Sequence, residues 1–326
     1  MKFSFILPVV NGGLYIKECV ASILRQTVKD FNLLVLINRS TDGTEEWLRS
    51  LNDDRVQLFP YNEPLGIYGN WARITDLPKN EFMTIIGYDD LVDENYLAVM
   101  QGLIARYPDA RLYQAHFRYI DGQGKFWRHC LPMDEVQRGH DFLAFQMMRM
   151  IDSTATGYMM RSADYDRLGG IADYPNLIFA DYALWVRLTL LGYRATAAEE
   201  CFSYRVHAST SALTNGEQYK RAFFQYLAFL QETAVHRPPM QEVIRRYGQS
   251  FLYYYCEALS HRLLKTRRRD RHISVAGFIE ECKVAAGWFI PGQAFEPYRI
   301  FRIRIAAMLD RTAIGRAAFT QAKKLM

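Results

Sequence analysis

The feature that most constrains this chain is the alternation of two hydrophobic periods over its first hundred residues. The runs FSFILPV (Phe3–Val9), FNLLVLI (Phe31–Ile37), RVQLFP (Arg55–Pro60) and EFMTIIG (Glu81–Gly87) are short, apolar and suited to strands. Between them, YIKECVASILRQ, TEEWLRSL and IYGNWARITDL carry apolar residues at helical spacing. Strands and helices of these lengths predict βαβ units, hence an α/β, Rossmann-like, mostly parallel sheet flanked by helices. Crossovers of one hand bring every strand's C-terminal end to the same edge, where open α/β sheets bind ligands. PVVNGG, INRSTDGT, NEPLGIYGNW and GYDD all fall on that edge. The last of these sets Asp89 beside Asp90, and two such neighbours repel unless a cation or a helix cap makes use of them.

Past residue 108 the pattern changes. ARLYQAHFRYIDGQGKFWRHC reads as two longer strands joined by a hairpin turn at Asp121-Gly122-Gln123-Gly124. A helical stretch around GHDFLAFQMMRM, an apolar TATGYMMRS, a helix over DYALWVRLTLLG and a strand-like CFSYRVH follow. From Gly216 almost everything has helical period, punctuated at Pro238-Pro239 and Pro291-Gly292. The expected division is therefore 1–215, with halves meeting near residue 107 (1–107 and 108–215), and a helical extension over 216–326. With 326 residues, half of them hydrophobic and 23% charged, the chain can fill a large core and a smaller appendage.

The formal charge of +5 conceals an asymmetry, since residues 1–235 carry a net −5 and residues 236–326 a net +10. LLKTRRRDRH (Leu263–His272) and the later RIFRIRIAAML interleave Arg with Leu, Ile and Phe. That composition suits peripheral contact with an anionic membrane; a solvated helical face with snorkelling arginines is the alternative. No nucleic-acid-binding motif accompanies the charge, so no nucleic acid partner is expected. No run reaches the roughly 18 to 20 apolar residues of a spanning helix, and Lys2, Ser4 and Pro8 interrupt the start. A cytoplasmic chain is expected, at most resting on the inner face of the cell membrane. Cys19, Cys130, Cys201, Cys256 and Cys282 form no Cys-x-x-Cys pair and are expected to be reduced and mostly buried.

Neither G-x-G-x-x-G nor a Walker lysine loop follows the first strand, so the sheet must hold a phosphate-bearing ligand by other means. One or two carboxylates with a divalent cation, Mg²⁺ or Mn²⁺, are the usual means. Asp89, with Asp90 beside it, fits that role, although Asp90 or Asp93 would also serve to cap the helix beginning near Glu94.

Taken together, FSFILPVVNGGLYIKECVASILRQTVKDFNLLVLINRSTDGT, GIYGNWARI and FMTIIGYDDLVDENYL resemble the nucleotide-sugar-binding half of family 2 glycosyltransferases of the GT-A fold. The resemblance continues through TGYMMRSADYDRLGGIADY, FADYALWVRLTLLGY and YRVHASTS, covering about residues 1–212. It implies that Pro8, Asn11 and Asn38 line a pocket for the donor's base and ribose, with Tyr88 also on the donor side. Asp89 would be the metal-binding acid of the D-x-D motif, with Asp90 and His207 beside the metal. Asp181 matches the catalytic base, and Arg73 and Arg205 are weaker candidates for the diphosphate. Each has an ordinary alternative: Asp181 as a first-turn acid, His207 as a half-buried histidine, Asn11 as the end of a strand, the arginines as surface ion pairs.

The chain also departs from that pattern. Ile37 stands where the family usually has an Asp, Gly87 at the first acid of D-x-D, and Ala180 where a Glu commonly precedes the base. The implied activity is inverting transfer of a sugar from a nucleotide-diphosphate sugar to a glycan or polyprenyl-linked acceptor, as in surface polysaccharide synthesis. The alternative is a sugar-nucleotide-binding or scaffolding protein whose site has lost its chemistry. A nucleotidyltransferase would need a phosphate loop bearing glycine and lysine, which is not found.

Overall fold

The four apolar runs become β1 (Phe3–Val9), β2 (Phe31–Asn38), β3 (Val56–Tyr61) and β4 (Phe82–Ile85). They belong to a computed structural model that describes residues 2–207 and 214–322. β1 pairs in parallel with β2 and β4, and β2 with β3, placing Phe3 level with Phe31 and Phe82. The helices between them are α1 (Tyr15–Leu24), α2 (Thr44–Arg49) and α3 (Ile67–Ala72). On α1, Ile16, Cys19, Val20 and Ile23 follow the spacing of a single helix face and join one buried cluster with Phe3, Phe5, Leu7, Val9, Phe31, Leu33, Val35 and Ile37. The alternate residues Ile6, Pro8, Leu34 and Leu36 are buried as well. Coverage on both faces is why these strands read as unbroken apolar runs.

The sheet continues through β5 (Leu91–Val92), β6 (Leu112–Ile120), β7 (Phe126–His129), β8 (Val136–Arg138), β9 (Met159–Arg161) and β10 (Tyr193–Arg205). Its order is β3-β2-β1-β4-β9-β6-β10-β5, with β7 on β6 and β8 on β10. β9 is antiparallel to both β4 and β6 and so joins the parallel half to the later half. The helices α4 (Tyr96–Arg106), α5 (Gly139–Met148), α6 (Ser162–Arg167) and α7 (Ala180–Leu190) fall between these strands in the chain. The hairpin forms where the sequence places it. Asp121 accepts the Gln123 and Lys125 amides on its side chain, and Gly124 takes φ 80, where a side chain would be strained. β10 is much longer than CFSYRVH. Its first half, YRATAAEE, lacks a strand-like pattern, and its pairing with β6 shifts register around Glu200.

The chain divides into two units, one holding residues 2–142, 150–173 and 180–207, the other 143–149, 174–179 and 214–322. The second unit groups two short earlier segments with the helical part. That part contains α8 (Gly216–Ala234), α9 (Pro238–Lys265), α10 (Val275–Phe289), α11 (Phe301–Leu309) and α12 (Ala313–Ala322). Its core is aromatic: Phe179 stacks on Tyr226 at 5.2 Å and Phe223 on Tyr255 at 4.8 Å. Asn215 and Ser274 cap α8 and α10 by accepting the Gln218 and Gly277 amides. The basic run Leu263–His272 is not wholly a surface feature. Arg271 is buried in an ion pair with Asp310, whose carboxylate also accepts the Val275 amide at 2.8 Å.

Candidate functional site

The loops after β1 and β2 are laced together at the edge where the parallel strands end. Asn11, at φ 52, accepts the Thr41 amide at 2.7 Å and donates its own amide to the Ser40 hydroxyl. The Gly12 amide donates to the Thr44 hydroxyl, and Asp42 accepts the Gly13 and Thr44 amides. Burial pushes against ionisation of Asp42, but hydrogen bonds from Thr44 and Gly13 outweigh it and hold the carboxyl below its usual range.

Asn38 is buried, donates to the carbonyls of Tyr61 and Glu63 and accepts the Leu65 amide, so it shapes the loop after β3. Arg73 donates to the carbonyls of Ile37 and Phe59 and to the Asn70 side chain, and lies 5.1 Å over the Tyr61 ring. Both residues hold the donor-side edge in shape with the polar atoms that the sequence reading reserves for ligand. Pro8 is buried within β1, level with Leu36. Tyr88 is half-buried, its hydroxyl pushed up by burial and by the charges of Asp89, Tyr15 and Asp42.

The adjacent carboxylates at that tip have opposite fates. Asp90 is 2% exposed; one oxygen accepts the Thr156 hydroxyl and the other the Arg205 amide at 3.0 Å. Burial first, and the charge of Asp89 second, push its pKa well above the carboxylate range. Asp90, expected as a second metal ligand, is instead turned inward and engaged by the protein itself. Asp89 faces outward and pairs with His207 Nε2.

Arg205 secures this arrangement. Its side chain is only 1% exposed and donates to the Asp89 carbonyl at 2.7 Å, the Glu18 carboxylate at 2.6 Å and the Gly122 carbonyl. Its guanidinium lies 4.6 Å over Tyr15, whose ring is 5.2 Å from that of His207 and whose hydroxyl donates to Gly122. A role as diphosphate ligand is thus replaced by a clamp between α1, the hairpin turn and the β4 tip. Tyr15, Glu18, Thr156 and Tyr204 were not singled out from sequence, because their partners lie between 66 and 187 residues away in the chain.

Asp181 lies in the first turn of α7, directly after Asn176, Leu177 and Phe179, which take φ of 51, 57 and 66. Left-handed Leu and Phe are strained, and such strain concentrates at functional sites. Burial raises the Asp181 carboxyl to about 6, against opposing hydrogen bonds from the Tyr182 and Asp181 amides. Burial also raises the Tyr204 hydroxyl, and the charges of Asp90, Asp89 and Asp181 raise it further.

The residues that could hold a divalent cation are Asp89 and His207. A carboxylate oxygen and an imidazole nitrogen in contact form a two-ligand set that a substrate's phosphates could complete. Among the described residues there is no cluster of three or more His, Cys, Asp or Glu that could hold a metal alone. Gly87 bears on this set, since a Cβ there would lie 2.5 Å from Asp89 Oδ1. Removing the inward acid should differ from removing the outward one. Asp90→Ala is expected to lower unfolding free energy by about 1–3 kcal/mol, because it strands buried donors. Asp89→Ala should cost less, because that carboxylate is 21% exposed and its loss strands one partner, His207. Urea titration of the two variants checks the contrast.

The profile of "Glycosyl transferase family 2" matches residues 4–165. GlyG of Streptococcus pneumoniae serotype 4, a glycosyltransferase, is 25% identical over 133 residues, 40% of this chain and 44% of GlyG. The chain spans less than half the length of the first curated relatives it matches. Among solved structures, S. aureus TarS 1–349 in complex with UDP-GlcNAc superposes with a TM-score of 0.65 at 12% identity, over 95% of this chain and 92% of that one. The mannosyltransferase PcManGT of Pyrobaculum calidifontis, in complex with GDP-Man and Mn²⁺, gives 0.54 at 18% identity, over 94% and 86%. The parallel edge, the acid-tipped fourth strand and the helical extension are those of a GT-A fold, and through the domain matched at residues 4–165 the chain belongs to glycosyl transferase family 2.

Proposed function

We propose that this chain is an inverting glycosyltransferase that moves a sugar from a nucleotide-diphosphate sugar to a hydroxyl of a glycan or lipid-linked acceptor, in surface polysaccharide synthesis. The observation that carries this reading is the contact between Asp89, at the tip of β4 in the family 2 domain, and His207, just after β10, together with an Asp181 carboxyl that burial raises to about 6. An acceptor hydroxyl keeps its proton far above neutral pH, so its attack needs a base in place. Asp181 is mostly ionised at pH 7 yet more basic than an exposed carboxylate. It takes that proton on a carboxylate oxygen as the hydroxyl oxygen bonds to the anomeric carbon. The nucleoside diphosphate departs from the opposite face, which inverts the configuration. Asp89 and His207 would hold a Mg²⁺ or Mn²⁺ ion, which when bound supplies positive charge against the leaving diphosphate. Asn11, Asn38 and Arg73 keep the donor-side loops in one shape, and Arg205 fixes the direction of Asp89.

Ile37, Gly87 and Ala180 favour a second reading, a sugar-nucleotide-binding or scaffolding protein without transfer. Asp181→Asn separates the two readings: under ours it lowers kcat by at least about a hundredfold with donor affinity nearly unchanged. The wild-type rate should fall below an apparent pKa of about 6 as the base is protonated. Because the pKa is raised on folding, the ionised carboxylate destabilises the fold above that pH. Asn should therefore stabilise at pH 8, by at most about 3 kcal/mol, and give no gain at pH 4. No transfer by the wild type across uridine, thymidine and guanosine diphosphate sugars would favour the second reading.

We propose in addition that the helical unit makes peripheral contact with an anionic membrane. On α11 and α12, Phe301, Met308 and Ile314 are 63%, 54% and 83% exposed, beside exposed Arg302, Arg304 and Arg311. From residue 297 to 322 the one acid is Asp310, which is buried. Such a face combines apolar insertion with attraction to anionic lipid. Among the described residues no helix is long and apolar enough to cross a membrane. Cosedimentation with vesicles containing phosphatidylglycerol should be lost when Phe301 and Ile314 are both changed to Glu. Unchanged binding would exclude this face.

A further inference from the structure

The hairpin strand β7 carries a feature that the site described above does not use. Tyr119 of β6 is level with Arg128, whereas the next residue, Ile120, is level with Phe126, so Trp127 is the extra residue of a β-bulge. Bulges redirect a side chain, and they are frequent beside active sites. The Trp127 indole is 60% exposed and meets Tyr119 edge-on at 6.2 Å. Arg128 lies 3.8 Å over Tyr119 and is held by both oxygens of Asp152 at 2.8 and 3.0 Å, which steadies the bulge. Tyr119 in turn meets Tyr204 edge-on at 5.7 Å, and Tyr204 directly precedes Arg205, whose amide donates to Asp90 and whose side chain donates to the Asp89 carbonyl. A solvent-facing indole is thus joined through two rings to the segment that holds the β4 tip.

We propose that Trp127 is the platform on which a pyranose ring of the acceptor stacks. The C–H face of a sugar is apolar and slightly positive, and it complements the electron-rich face of an indole. Two rings stand between Trp127 and the segment that holds Asp89, so the stacked sugar lies behind the one that receives the transfer, and the acceptor is an oligosaccharide. This assignment rests on the glycosyltransferase reading. Its test uses cellotetraose, maltotetraose and chitotetraose as probes, with binding to the intact chain followed by saturation-transfer NMR and tryptophan fluorescence. At least one should bind the wild type and quench its fluorescence. Trp127→Ala should weaken that sugar about tenfold, and Trp127→Phe should remain within about threefold. Both variants should melt like the wild type and hydrolyse the nucleotide-sugar donor at its rate. Equal affinity for Trp127→Ala, or no binding of any tetrasaccharide to the wild type, overturns the platform. A wild type without donor hydrolysis would instead remove the transferase reading beneath it.

Discussion

A buried carboxylate that stays in place must have its oxygens satisfied by the protein, and Asp90 meets that demand through the Thr156 hydroxyl and the Arg205 amide. These partners come from a loop ahead of β9 and from the end of β10, 66 and 115 residues away in the chain. Three elements that do not adjoin in sequence are thereby fixed at one point. The Arg205 side chain extends the constraint to the Asp89 carbonyl, α1 and the hairpin turn. A guanidinium suits this role because its several donors point in fixed directions.

With Asp90 committed inward, Asp89 is left as the outward carboxylate of the pair, and its neighbour His207 follows Arg205 by two residues. Gly87 belongs to the same arrangement. A side chain there would press on Asp89, so the missing first acid and the position of the remaining one are a single structural choice. At Asp181 the opposite tactic operates. Asp181 is held next to a helix start, yet burial dominates and raises its proton affinity to the range a base needs. The carboxyls of Asp90 and Asp181 are thus both raised by burial, whereas Asp89 keeps the ion pair with His207.

Much of this was legible in the sequence. Alternating periods gave the parallel edge, because strands covered on both faces have no room for polar residues. The Asp121–Gly124 turn announced its hairpin, because only certain residues tolerate that backbone. What escaped reading depends on contacts distant along the chain. Whether Asp89 or Asp90 points outward is decided by Thr156 and Arg205, and nothing within GYDD reveals it. Asn38 and Arg73 lie at the expected edge but spend their polar atoms on backbone carbonyls. β10 begins in an Ala- and Glu-containing stretch whose strand state comes from pairing with β6 and β8. In the basic tail, Arg271 resembles its neighbours in sequence and differs only by finding Asp310.

The central claim is that Asp89 and His207 form the donor-phosphate end of a site whose base is Asp181. Calorimetric titration of the chain with uridine and guanosine diphosphates, with and without Mn²⁺, tests it most directly. The account predicts metal-dependent binding that is lost in Asp89→Ala and His207→Ala and kept in Asp181→Asn. Binding that ignores Mn²⁺ and survives both substitutions would contradict it.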